Sequence, residues 1–359
     1  IYNAGIDNIF LETYYHGKTI FPSQTMTKYG FIRQNEDYVG FDPLRIWINE
    51  AHKRGIKVHI WFETFYVGNK PPETNAGYIL AKKPEWANYQ KKNADSDTIA
   101  YSVSEHNGYF IDPANPEVQN FLYELLCEII TRYKPDGINL DYIRYPQSLD
   151  TIYSNYDMSN WGYTKYARDE FFKMYGVDPI ELKYTDPLWF QWRAYRCNKV
   201  TSFVRRVSVL CRFNKIQITT VIFPNRNLAL NTKMQDWKTW SMNNFVDGFT
   251  PLFLTCNDMT AINLMEEILR NKSASTKLYA GLFVTFMNGS SADLMKQIHA
   301  ARKYCLNGLI IFDYAHLTDY YVDTLTESVF KSNKKEIVIT DTAKSQQVKY
   351  STGNKRGGN

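Results

Sequence analysis

No two cysteines stand at CxxC spacing in this chain. The five present, Cys127, Cys197, Cys211, Cys256 and Cys305, lie far apart, and an odd number cannot all pair internally. Neither a disulfide framework nor a zinc site is signalled. Uninterrupted apolar runs are short as well. None approaches the ~20 residues a helix needs to cross a bilayer, so no transmembrane segment is expected. A concentrated basic stripe is also missing. The formal charge of +5 is spread over 359 residues and thickens only in "KSNKK" and "GNKRGGN" near the C-terminus. Nucleic acid is therefore not an expected partner. No glycine-rich phosphate turn follows an early β-like run, which argues against a dinucleotide-binding open sheet. No signal peptide is visible, and the chain starts at Ile1 rather than Met.

What is abundant is aromatic. Phe, Trp and Tyr make up 16% of residues, and Tyr alone contributes 27. Many such rings fill a core. A surplus of Tyr and Trp also suits a sugar cleft, where ring faces pack on pyranose C–H faces and the hydroxyl or indole N–H bonds sugar hydroxyls.

Short β-rich runs alternate with amphipathic helical runs. "IDNIFLETYY" and "IKVHIWFETF" read as strands. Between them "DPLRIWINEAHKRG" reads as a helix with Asp42 as N-cap, Pro43 in the first turn and Gly55 as stop. "NPEVQNFLYELLCEIITRY" repeats that grammar with Asn115 and Pro116. Further strands are expected in "DGINLDYI", "KIQITTVIFP", "VDGFTPLFL", "KLYAGLFVTF" and "NGLIIFDY", each followed by a helical stretch. Seven βα units imply a parallel sheet and point to a TIM (β/α)8 barrel. The first strand is expected upstream of Ile1 or missing from this chain. Residues 1–332 are expected to form the barrel, and 333–359 a polar tail or linker.

Barrels build their sites at the C-terminal ends of the strands, and two long βα connections, 65–115 and 146–161, leave from those ends. Reading strand ends in turn gives four carboxylates: Glu12, Glu63, Asp141 and Asp313. Around them come Tyr14, His16, Trp61, Tyr142, Arg144, Tyr145, Asn225, Tyr314 and His316 as candidates for binding substrate. Carboxylates, aromatics and amides without His/Cys metal spacing fit glycoside hydrolysis. One carboxylic acid protonates the leaving oxygen, and a second carboxylate serves as nucleophile or base. Mutual repulsion raises one carboxyl pKa while a neighbouring Arg, such as Arg144, keeps another ionised. No cofactor or metal is expected. Each residue also has a plainer reading. Asp141 and Asp313 could cap turns, Glu63 could serve a salt bridge, and His59 reads as a core histidine. Asp136 reads as a turn or cap residue on the opposite face, and His52 as a partner of its helix dipole.

The stretch "PDGINLDYIRYP" resembles the DGI-x-LDYIRYP signature of the glycosyl hydrolase-like 10 family, a group that includes a bacterial divisome-associated glycosidase. "PLRIWINEAHKRGIKVHIWFETFYVG", "YFIDPANPEVQNFL", "VDGFTPLFLT" and "GLIIFDYAHLTD" resemble its other segments in the same order. The resemblance implies a (β/α)8 barrel, an extracytoplasmic bacterial setting and glycan cleavage, with peptidoglycan among the substrates. It places Asp141 on the family's Asp at the end of the fourth strand. Where this chain has Glu63, the family often has Asn, so no role passes to Glu63 from the resemblance. The same stretch can be laid on the DGxDxDxEYP motif of family 18 chitinases. Asn139 then replaces an Asp and the acid Glu has no counterpart, which speaks against that substrate-assisted chemistry. A glycoside hydrolase acting on a cell-wall or other complex polysaccharide is the leading expectation. A carbohydrate-binding barrel without catalysis is the alternative.

Overall fold

The computed structural model describes residues 5–74, 78–149 and 156–329. The expected tail, 333–359, lies outside the described residues. Nine strands form one sheet: β1 (Asn8–Tyr15), β2 (Lys18–Thr19), β3 (Lys57–Glu63), β4 (Gly137–Asp141), β5 (Gln217–Thr220), β6 (Gly248–Phe249), β7 (Leu252–Phe253), β8 (Lys277–Phe283) and β9 (Gly308–Phe312). Among these strands of the described residues only β2 pairs antiparallel, as a two-residue return on the end of β1. The rest run parallel in the order β1, β3, β4, β5, β6/β7, β8, β9. The seven strand positions read from the sequence are therefore present, with one split in two at Thr250–Pro251.

The (β/α)8 barrel, expected with its first strand upstream of Ile1 or missing, is not closed among the described residues. The sheet curls but does not close. Among the described residues β1 and β9 share no ladder, and a cavity of about 510 Å³ opens between them, lined by Phe10, Trp61, Tyr279, Ile310 and Phe312 among others.

Side-chain alternation explains why β3 and β4 are buried on both faces. In β3, Val58, Ile60 and Phe62 form one apolar row, each fully buried. Phe62 stacks on Tyr14, which in turn edges onto Phe121 of the helix Pro116–Tyr133, so this row faces the helical layer. The opposite row, His59, Trp61 and Glu63, is in register with Gly137, Asn139 and Asp141 of β4. It points to the inside of the curl. There Asn139 Oδ1 accepts hydrogen bonds from the Thr219 hydroxyl at 2.9 Å and, two strands away, from the Thr250 hydroxyl at 3.0 Å.

The helix starts agree with the sequence. Asp42 accepts from the Arg45 N–H at 3.1 Å and Asn115 from the Glu117 N–H at 2.9 Å, each with Pro in the first turn. Asp136, at the N-terminal face, accepts from the Val58 N–H and bonds the His52 ring, both at 2.8 Å. Rather than only capping a turn, it ties a strand start to a helix end. All five cysteines are free thiols.

Candidate active site

Glu63 and Asp141 are the paired last residues of β3 and β4, and Glu12, paired with Trp61, lies on the inward row of the neighbouring β1, three residues before its end. Asp141 is only 8% exposed. It accepts the Trp61 indole N–H at 3.0 Å and the Tyr142 backbone N–H at 2.6 Å. Burial pushes its pKa up, while these two donors and the nearby Arg144 guanidinium pull the other way. Glu63 lies deeper, 3% exposed, and accepts the His16 backbone N–H at 2.7 Å. Burial holds its proton far above the usual carboxylate range, with Asp141 and Glu12 adding repulsion. Glu12 is more accessible. Burial, then the charges of Asp313 and Asp141, raise it to about 6. Three carboxyl groups thus share one mouth, each with its proton affinity raised by burial, a setting in which acid/base chemistry can arise.

Two aromatic walls flank them. On one side Tyr15 stacks on His16 at 3.8 Å, His16 edges onto Tyr66, and Tyr66 stacks on Tyr142 at 4.5 Å. On the other side Trp61 edges onto Phe312, which stacks on Phe283 at 4.5 Å, and Phe286 continues outward to solvent. Burial and the Lys18 and Lys70 charges depress His16 to about 4, so its imidazole is neutral at ordinary pH. Among the described residues no group of His, Cys, Asp and Glu is arranged to hold a metal ion.

The structure gathers Glu12, Glu63, Asp141, Trp61, His16 and Tyr142 and takes four other expected residues away. Tyr14 is fully buried against Phe62, because β1 carries a bulge between Glu12 and Tyr14 that turns Tyr14 outward. Tyr15 takes the place at the mouth. Arg144 (4% exposed) and Tyr145 (1%) are sealed inside. Tyr142 has φ +45, so the chain turns sharply after Asp141 and carries both beneath the rim. Arg144 then donates two bonds to Glu105, and the Tyr145 hydroxyl donates to Asp112 at 3.5 Å. Asn225 is used as an N-cap, accepting from the Leu228 N–H at 3.0 Å, at the start of the helix Arg226–Lys233. In this state none of the four presents a face to a substrate. Asp313 caps a short turn and bonds the His316 ring at 2.8 Å, and with Tyr314 it stands on the exposed outer rim beside the open seam.

Sequence reasoning missed three buried groups under the rim: Glu105, Asp112 and Lys233. Asp112 accepts from the Thr164 hydroxyl at 2.6 Å and the Ala114 N–H at 2.9 Å, and burial raises it to about 6. The run "YFIDPANPEV" was the available signal for it. Glu105 and Lys233 lie in separate loop and helix stretches with no local pattern to link them.

An α/β curl with carboxylates and aromatics at its C-terminal mouth is an arrangement compatible with glycoside hydrolysis. The chain belongs to the glycosyl hydrolase-like 10 family, whose model matches residues 2–286. It is 32% identical over 151 residues to the glycosyl hydrolase DigH of Escherichia coli K12, a match that covers 40% of this chain and 32% of that protein. The matched region thus spans about a third of that relative's length. Among solved structures it is similar to the PgaB (BpsB) glycoside hydrolase domain of Bordetella bronchiseptica. That likeness has a TM-score of 0.63 at 12% identity and covers 90% of this chain and 89% of that one. It is also similar to the catalytic domain of a β-amylase from Paenibacillus polymyxa, with a TM-score of 0.56 at 11% identity over 93% and 92%. These likenesses extend to the fold.

Proposed function

We propose that the chain is a glycosidase that hydrolyses a bacterial cell-wall or other complex polysaccharide outside the cytoplasm, on a (β/α)8-type scaffold. The observation that carries this reading is the gathering of Glu12, Glu63 and Asp141 on the inward faces of three neighbouring strands, between two aromatic walls, each with its proton affinity raised by burial. Asp141, held by the Trp61 and Tyr142 N–H groups, acts as the carboxylate that attacks the anomeric carbon or activates water. Glu12, protonated up to about pH 6 and open to the mouth, is the acid that protonates the leaving oxygen. Glu63, in register with Asp141 and with its proton affinity raised by burial, holds the His16 main chain through its Oε2. The walls stack pyranose rings, with Tyr15, Tyr66 and Phe286 joining the expected Trp61, His16 and Tyr142.

Asp141→Asn tests the reading. Release of reducing ends from polysaccharide should fall by at least about a thousandfold, with the far-UV spectrum and glycan affinity retained. Undiminished hydrolysis in this variant removes Asp141 from the chemistry. Calorimetric glycan binding by the wild type without cleavage of any polysaccharide tried would make the chain a binding barrel instead.

A further inference from the structure

Beneath the rim three loops converge on a single carboxylate. Glu105, in the connection after β3, accepts two bonds from Arg144, at 2.7 and 3.0 Å, and one from the Gln147 N–H at 3.1 Å. Arg144 and Gln147 lie just past the end of β4. Lys233, the last residue of the helix after β5, reaches the same carboxylate at 3.4 Å and the Gln147 carboxamide oxygen at 2.9 Å. Main-chain bonds staple the same point: the Tyr145 N–H donates to Lys233 O at 2.9 Å and the Ser148 N–H to Thr232 O at 2.8 Å. Glu105, Arg144 and Lys233 are each less than 8% exposed. Three buried charges from three separate βα connections are costly to assemble, so they mark a position that must be held.

What they hold is the floor of the site. The Arg144 guanidinium lies 4.7 Å from the Tyr142 ring centroid, and the Tyr142 N–H is one of the two donors fixing Asp141. We propose that Lys233 and Glu105 are positioning residues for Asp141, locking Arg144 beneath Tyr142 so that the carboxylate stays aimed and ionised in the mouth. The proposal rests on the reading of Asp141 as a catalytic carboxylate. The charged groups facing the Lys233 ammonium are Glu105 and Arg144, and the Phe223 ring covers another side at 3.9 Å. Burial, then repulsion from Arg144, lower the amine to about 7 against the pull of Glu105. Burial pushes Glu105 up, yet Arg144 and Lys233 bring it down to about 2. Within the cluster Arg144 favours the ionised form of Asp141 while Glu105 opposes it, and the Lys233 ammonium, 3.4 Å from the Glu105 carboxylate, offsets that anion.

Lys233→Met removes the cation and keeps the length. Reducing-end release from a polysaccharide that the wild type cleaves is measured from pH 3 to 9, with melting temperature recorded across the same range. The expected result is a kcat about tenfold lower with KM within twofold, and an acid limb of kcat/KM moved to higher pH. A folded variant with that limb unmoved overturns the proposal while leaving the glycosidase reading intact. A wild type that cleaves nothing overturns both. The melting curves read the cluster independently of activity. A lysine depressed to about 7 is protonated in the unfolded chain but not in the folded one up to its ordinary range. The wild type should therefore gain stability relative to the variant as pH rises above 7. If Lys233→Met does not fold, Lys233→Gln reads the same limb. If neither folds, the role is structural and the proposal falls.

Discussion

Asp141 and Trp61 could be read at the residue scale because each lies at or near the end of a strand whose alternation is unbroken. The bulge in β1 and the positive φ of Tyr142 are what misplaced Tyr14, Arg144 and Tyr145. One inserted residue reverses which side chains face the mouth, and one left-handed residue sends the next few beneath the rim. Neither event has a glycine to announce it. At this scale Glu12 carries a prediction with a sign. Its carboxyl titrates at about 6 in the folded chain, against 4.5 for the side chain in water. Between those values the unfolded chain is ionised there and the folded chain is not. The stability that goes with the bound proton is full below pH 4.5 and is lost as pH rises through 6. Glu12→Gln has no charge to bury. It should melt with the wild type below pH 4.5 and about 2 °C higher at pH 7, a gain of about 1 kcal/mol after solvent screening at the partly open mouth. Activity responds in the same range. Wild-type kcat/KM should decline above about pH 6 as the acid loses its proton, and the variant should lack that limb. A wild-type profile flat to pH 8 would assign the acid's work elsewhere.

Elements are easier to read than residues. Strands with branched and aromatic runs, and helices opened by Asp42 or Asn115 with Pro in the first turn, declare themselves locally. The helix Arg226–Lys233 escapes such reading because its start, Asn225–Arg226, looks like a polar strand end. The turn at Pro251 divides another expected strand into β6 and β7. What no local pattern reveals is how tightly the inward rows fit. Gly137 opens β4, and a Cβ there would lie 2.1 Å from His59 Nδ1. The His59 ring cannot swing away freely. It stacks on Phe10 at 4.7 Å, and its Nε2 bonds Asn8 at 3.0 Å. Gly-to-Ala in a strand ordinarily favours folding by stiffening the unfolded chain. Here the clash should win, and Gly137→Ala should cost about 1–3 kcal/mol, read as a lower urea midpoint at unchanged slope. The cause is separable: in a His59→Ala background the same substitution should cost markedly less. Equal costs in the two backgrounds would refute the contact as the reason.

Across the whole molecule, the sequence revealed seven strand positions but not the state of the space where an eighth would lie. That state depends on pairing between chain segments far apart, which no local pattern encodes. The consequence is measurable at single amides. Successive residues of a parallel strand address opposite neighbours. The Asn307 N–H donates to Leu278 O of β8, so alternation turns the Leu309 and Ile311 amides to β8 and those of Gly308, Ile310 and Phe312 to the seam. On the other bank the Lys57 N–H donates to Asp7 O, which turns Ile9 and Leu11 to β3 and leaves Asn8 and Phe10 facing the same gap. β4 lies between β3 and β5 and has no such free edge. Native-state hydrogen exchange should therefore be slowest in β3 and β4. In β9 and the first half of β1 it should alternate, with seam-facing amides opening at a lower free energy than their neighbours. Adding a strand to the gap would erase the alternation by giving those amides partners. Uniform protection along β9 in solution would mean that the seam is filled, and concentration dependence of that protection would show whether a second molecule fills it.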